Sequence, residues 1–244
     1  MTILLLIRHG ENDWVGTHRL AGRTPGVHLN DRGRQQAQEL ADRLREQPIT
    51  AIYSSPMERC METAQPLADA LGLAVIPHPG VIEADFGDWQ GASLKDLAKQ
   101  PEWQLVQFYP SGFRFPGGET LREVQSRMVG ALAQIVADHP KQVVAVFCHS
   151  DVIKTAVAHF LGTPLDLFQR ILIDTASISV IGFHRTGPHI IRINDTGALP
   201  IFKQPEDPTP EPEDEKSDQE SDQESDQESD GIAKSSTQEG GGQP

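Results

Sequence analysis

Ile3-Leu4-Leu5-Leu6-Ile7-Arg8-His9-Gly10-Glu11 is the stretch whose reading decides the fold. Five apolar residues run unbroken into a cation, an imidazole and a glycine. A short continuous apolar run that ends in a turn residue is the pattern of a strand buried on both faces, as in a parallel sheet. Ligands of open α/β sheets bind just beyond the carboxyl ends of such strands. The run therefore delivers Arg8 and His9 to the usual place for chemistry, and Gly10 lets the backbone turn sharply there. Taken alone, Arg-His-Gly is a weak signal, because a strand that ends in two polar surface residues reads the same way.

A second run of the same kind, Val143-Val144-Ala145-Val146-Phe147, leads into Cys148-His149-Ser150. Ser150 is expected to cap the helix that follows, with Val152, Ile153, Ala156, Val157, Phe160 and Leu161 facing inward. Between the two runs, strands and helices alternate. Asn30 is placed to cap a helix carrying Ala37, Leu40, Ala41 and Leu44 at helical spacing. Residues 51–54 read as a strand. Ser55-Pro56-Met57-Glu58 then has the form of a capping box, which puts Arg59 in the first turn of the next helix. Residues 73–76 read as a third strand, 81–91 as a glycine- and aromatic-containing loop, and 93–109 as one or two short helices. Thr120 and Glu123 form another capping box, opening a long helix with Leu121, Val124, Met128, Ala131, Leu132 and Ile135 on one face. Residues 178–183 and 189–193 read as two late strands joined through Thr186-Gly187-Pro188. This order predicts an α/β fold: a single three-layer domain with a mostly parallel central sheet and helices on both faces.

Composition divides the 244 residues at about position 203. Of the chain's 35 acidic and 21 basic residues, 14 acids and two lysines lie in 204–244, which leaves the part before nearly neutral. Ser217-Asp218-Gln219-Glu220 recurs at Ser221 and at Ser225. So polar a repeat cannot bury enough apolar area to offset chain entropy. The expected domains are thus 1–203, folded, and 204–244, a disordered acidic low-complexity tail that serves solubility or meets a basic protein surface. The two cysteines, Cys60 and Cys148, fall in predicted elements and read as buried free thiols, not as a disulfide framework. The first apolar run is too short for a membrane span and has no basic segment before it. A cytoplasmic protein with no membrane partner is the expectation. A near-neutral domain with an acidic tail argues against nucleic-acid binding.

Two buried strands thus end in histidines, His9 and His149, and a third leads to Arg59. With Arg8, two imidazoles and two guanidiniums share one edge of one sheet. Guanidiniums bind phosphate oxygens in planar, bidentate fashion, and a helix beginning at Ser150 adds backbone N–H groups facing an anion. A neutral imidazole can attack phosphorus and carry the group covalently.

These residues, in this order, resemble the histidine phosphatase superfamily, branch 1, also called the phosphoglycerate mutase-like family. The resemblance covers residues 2 to about 195. It rests on Arg8-His9-Gly10-Glu11, Ser54-Ser55-Pro56-Met57-Glu58-Arg59, the Glu83 loop ending in Gly87-Asp88-Trp89-Gln90-Gly91, Pro116-Gly117-Gly118-Glu119-Thr120, and Phe147-Cys148-His149-Ser150. It implies a phosphoglycerate mutase-like fold and three catalytic residues: His9 as the nucleophile that becomes phosphohistidine, Glu83 as the acid that protonates the leaving oxygen, and His149 in the phosphoryl pocket. Arg8, Arg59 and Ser150 are implied as substrate-binding. The loop 21–26 sits where relatives contact the rest of the substrate, which implies Arg23, or Arg19, for a second anionic group. For its chemistry Glu83 should have a raised pKa from apolar neighbours such as Phe86 or Trp89, and the arginines should depress that of His9. Many members have asparagine six residues after the nucleophile, where it helps hold the phosphate; this chain has Val15.

The expected activity is metal-independent hydrolysis of a small phosphorylated metabolite, with no cofactor. A phosphoglycerate-type mutase needs the same core and is the second reading; a binding protein with a spent active site is the third. His18, His28, His78, His139, His159, His184 and His189 lack metal-ligand spacing and are assigned to structure or surface. The oligomeric state is left open, a homodimer included.

Overall fold

The two apolar runs pair with each other. In the computed structural model, which describes residues 1–197, strand β1 (Thr2–Arg8) lies parallel to β4 (Val143–Cys148), with Ile7 opposite Phe147 and Arg8 opposite Cys148. The expected boundary after residue 203 and the acidic segment beyond it lie outside the described residues. Further strands are β2 (Ile49–Ser54), β3 (Val75–Pro77), β5 (Ile178–His184) and β6 (Gly187–Asp195), in the sheet order β3-β2-β4-β1-β5-β6. Pairings among β1 to β4 are parallel, whereas β5 runs antiparallel to β1 and to β6. The sheet is mostly parallel as expected, with one reversed strand.

Period-two alternation explains why these strands are apolar throughout. Leu4 and Leu6 of β1, with Val144 and Val146 of β4, join the core on one face, packed with α6 (Leu121–Asp138) and α7 (Ser150–Leu161). Leu5 and Ile7, with Ala145 and Phe147, join the core on the other face, with α2 (Asp31–Leu44) and α3 (Glu58–Leu71). Full burial of each such aliphatic side chain contributes about 1.5–3 kcal/mol.

Several helix signals act as read. Asn30 Oδ1 accepts from Gly33 N–H at the start of α2, and the Thr120–Glu123 capping box opens α6. Residues 93–109 form two short helices, α4 (Leu94–Leu97) and α5 (Pro101–Phe108). Other expectations are corrected. A four-residue helix, α1 (Asp13–Gly16), interrupts the loop after β1, capped by Asn12. The Ser55 box does not form: Ser55 N–H bonds Phe147 O at 2.8 Å and so prolongs the strand pairing, and α3 begins at Glu58 without a side-chain cap. Ser150 is the first residue of α7, not its cap, which is His149. Leu161 is 48% exposed because it falls on the outer side of the last turn.

Two glycines fix the path from β1 to α2. A Cβ on Gly10 would stand 2.7 Å from Gly33 O, and one on Gly33 would stand 2.0 Å from Glu11 O. Backbone packs on backbone here, and this draws the residues after His9 tightly against the start of α2.

Candidate active site

The sheet order places the ends of β2, β4 and β1 side by side, so the residues that follow them converge. His9 is buried, and its Nδ1 lies 2.7 Å from Gly10 O. A carbonyl can only accept, so Nδ1 carries the hydrogen and Nε2 keeps its lone pair. Burial above all, then the charges of Arg59 and Arg8, hold the His9 pKa well below the usual histidine value. The ring is thus neutral at physiological pH, with the nitrogen remote from the main chain free to attack.

His149 stands next to it, with ring centroids 5.4 Å apart at 63°. Its Nε2 lies 2.8 Å from Ser55 Oγ, and its Nδ1 lies 3.2 Å from an Arg59 nitrogen and 3.4 Å from Glu83 Oε2. Burial and then Arg59 push its pKa well below the usual value as well. Arg59 is fully buried. One of its Nη groups donates to Gly22 O and meets His149, but Nε and the other Nη have no partner among the described residues. Arg8 donates to Ile173 O at 2.7 Å, while its Nε is likewise buried and unpaired. Buried guanidinium donors left without an acceptor are costly unless an anion arrives to fill them.

Glu83 completes the group. Its carboxyl is buried, and that burial pushes its pKa up to about 7, with the nearby charge of Asp151 adding to the rise; Arg59 and Arg8 oppose it only in part. Both expected directions hold, but burial outweighs the charges in each. The Glu83 main chain is clamped from outside the pocket. Arg23 Nε donates to Glu83 O at 2.8 Å, and Arg127 donates to the carbonyls of Gly80 and Ile82 at 3.0 and 2.9 Å. Glu119 bridges the two guanidiniums, at 2.8 Å from Arg23 and 3.1 Å from Arg127.

A cavity of about 240 Å³ opens over this constellation. Arg8, His9, Arg59, Glu83 and Ser150 line it, so five of the expected site residues meet there; His149 lies directly behind them. Arg23 does not line it: its guanidinium is occupied by Glu83 O, Asp85 and Glu119. Arg19 does, with its guanidinium stacked 4.6 Å over Trp14 and bonded to Gly91 O. The rest of the wall mixes apolar Trp14, Val15, Leu20, Phe86 and Leu94 with Asn12, His18 and Asp151. The cysteines are buried, and burial pushes the Cys60 thiol up to about 12 and Cys148 well above its usual value, so both are inert.

The residues that meet here are those of one sequence family. Residues 4–196 match the histidine phosphatase superfamily (branch 1) along nearly the whole described chain. The chain belongs to that superfamily. Phosphoserine phosphatase 1 of Hydrogenobacter thermophilus is 34% identical over 198 residues, spanning 80% of this chain and 93% of that protein. Phosphoglycerate mutase-like protein 4 of Arabidopsis thaliana is 33% identical over 211 residues, spanning 80% and 89%. Among solved structures, a mutant phosphoserine phosphatase from Entamoeba histolytica bound to phosphoserine superposes with a TM-score of 0.74 at 25% identity, covering 80% of this chain and 97% of that one. This histidine phosphatase is therefore an enzyme of the phosphatase and phosphomutase kind.

Several functional neighbours in this superfamily member escaped the sequence reading. Ser55 holds His149 where a helix cap was expected. Glu119 lay inside a quoted motif, but its partner Arg127 did not; its only signal is a polar residue off the apolar stripe of α6. Asp151 follows the motif histidine by two positions and reads as an ordinary first-turn acid.

Proposed function

We propose that this chain is a phosphomonoesterase that hydrolyses a small phosphorylated metabolite through phospho-His9, without a metal. The observation that carries the reading is the pairing of a neutral His9, its Nε2 free, with unfilled guanidinium donors of Arg8 and Arg59 in one cavity. In the first step Nε2 attacks phosphorus, the N–P bond forms, and the P–O bond to the leaving group breaks. The protonated carboxyl of Glu83 gives its proton to the departing oxygen. In the second step water attacks the phosphohistidine, Glu83 takes the proton, and the N–P bond breaks to release phosphate. Arg8, Arg59, His149 and the N–H groups of the first turn of α7, at Ser150, stabilise the charge on the transferring group. Arg23 serves by holding the Glu83 main chain in place and leaves substrate contact to the residues of the cavity wall. The small volume and mixed wall suit a compact ester.

The test is phosphate release from p-nitrophenyl phosphate and a panel of metabolite esters in excess EDTA, comparing the wild type with His9→Ala. Turnover that persists in EDTA and vanishes in the variant supports the reading, as does phosphate trapped on the wild type alone in an acid-labile, alkali-stable linkage, the behaviour of an N–P bond. Equal turnover in both proteins overturns it. Phosphoryl exchange between phosphoglycerates that requires a bisphosphoglycerate, without net phosphate release, would assign the chain to the mutases instead.

A further inference from the structure

We propose that Asn12 is a phosphoryl-binding residue, its Nδ2 group donating to an oxygen of the transferring phosphoryl group; the proposal rests on the phosphatase reading above. Asn12 is fully buried and lines the same cavity as His9, Arg8, Arg59 and Glu83. Its Oδ1 accepts from Trp14 N–H and Val15 N–H, each at 3.0 Å. Two backbone donors on one oxygen settle which end of the amide is which, because an amide nitrogen in that place would face donor against donor. The carboxamide is therefore pinned, and Nδ2 is directed away from α1. That Nδ2 is buried and has no hydrogen-bond partner among the described residues.

A buried amide donor without an acceptor is as unfavourable as any other unfilled polar group. Asn12 shares that condition with the Nε of Arg8 and with Nε and one Nη of Arg59 on the same cavity. One tetrahedral anion over His9 Nε2 offers acceptors to all of them. Because the amide is held through Oδ1, it is pre-aimed and needs no reorganisation as the transition state forms. Val15, on the same wall, has no polar side-chain atom to offer, whereas Asn12 brings a buried, unpartnered neutral donor to it.

The experiment compares three proteins with the wild type. Asn12→Ser keeps an oxygen able to cap α1 but removes Nδ2. Asn12→Asp keeps the shape and the cap and replaces the donor with a charge. Asn12→Ser combined with Val15→Asn returns an amide to the same wall. Turnover of p-nitrophenyl phosphate and inhibition by orthovanadate, which adopts the five-coordinate geometry of the transition state, are measured together with the thermal midpoint. Expected is a loss of about 100-fold in kcat/KM for Asn12→Ser, a parallel weakening of vanadate inhibition, a larger loss for Asn12→Asp, and partial recovery in the double variant. Vanadate inhibition within about threefold of wild type in both single variants overturns the proposal, whatever happens to turnover, because a residue that only shapes α1 would act that way. A wild type with neither turnover nor affinity for vanadate overturns the phosphatase reading and Asn12 with it; a wild type active on both counts beside an unchanged Asn12→Ser overturns Asn12 alone.

Discussion

Glu83→Gln should make the fold more stable, and increasingly so as pH rises. The buried carboxyl has its pKa raised from 4.5 to about 7. The folded state therefore binds more protons than the unfolded chain between those values, and stability falls as pH climbs through that window. A group raised in this way destabilises nothing below about pH 4, where both states are protonated. Its full effect is reached above about pH 7. A shift of about 2.5 units corresponds to about 3 kcal/mol at 1.36 kcal/mol per unit. Glutamine has the same shape and never ionises, so it escapes this penalty. The advantage of the variant over wild type should grow from under about 1 kcal/mol at pH 5 to about 3 kcal/mol at pH 9.

His9 and His149 also titrate abnormally, but in the opposite sense. Their folded pKa values are depressed, so the stability they contribute is present above the usual histidine value and is lost as pH falls through it. Both proteins contain them, so their contribution cancels in the difference between variant and wild type, except for what passes through the 3.4 Å contact of His149 with Glu83. That part falls below the usual histidine value, outside the range of about pH 7–9 where the Glu83 effect is largest. Urea unfolding at a series of pH values reads that difference directly, provided the m-values agree. In thermal melts, about 3 kcal/mol in a domain of this size corresponds to roughly 6–12 °C at high pH. A difference that stays flat from pH 5 to pH 9 would refute the raised carboxyl, and with it the assignment of Glu83 as the proton donor. Alongside the gain in stability, turnover of alkyl phosphates should fall by about 100-fold or more, and that of p-nitrophenyl phosphate by much less, because its leaving group needs little protonation.

The kcat/KM profile of the wild type should lose about tenfold per pH unit above an alkaline limb near pH 7, where Glu83 ionises. Asp151→Asn removes a charge that helps raise Glu83 and should move that limb to lower pH; a limb that stays in place separates it from Glu83. Arg59→Met should abolish turnover while leaving urea stability unchanged or higher, since it removes a buried charge with two unfilled donors; a loss of several kcal/mol would show that the buried cation supports the fold. Gly33→Ala should destabilise by more than about 2 kcal/mol, because its Cβ would stand 2.0 Å from Glu11 O, and circular-dichroism melts check this directly.

What the chain reveals in advance divides along a physical line. The strands β1 and β4 were legible because burial on both faces leaves an unbroken apolar run, and that run carries His9 and His149 to the sheet edge without help from distant residues. Arg59 was legible for a weaker reason. The capping box at Ser55 does not form, yet the turn that follows β2 still brings Arg59 into the first turn of α3, so the position survives an error in the cause. The error itself is informative: Ser55 Oγ is taken by His149, 94 residues away, and no local pattern can register that competition. Glu83 was legible as a residue but not as a device. Its place depends on Arg127 and Glu119 on and before α6 and on Arg23 from the opposite loop, which close an ion cluster behind it. The same cluster occupies Arg23: an arginine in a glycine-rich loop reads as available for a second anionic group until its acceptors, Glu83 O, Asp85 and Glu119, are known. Chemistry borne on strand ends is therefore readable from one short window, whereas chemistry borne on a loop is set by whatever braces that loop. In this enzyme the braces lie 36 to 60 residues away from Glu83 in the chain.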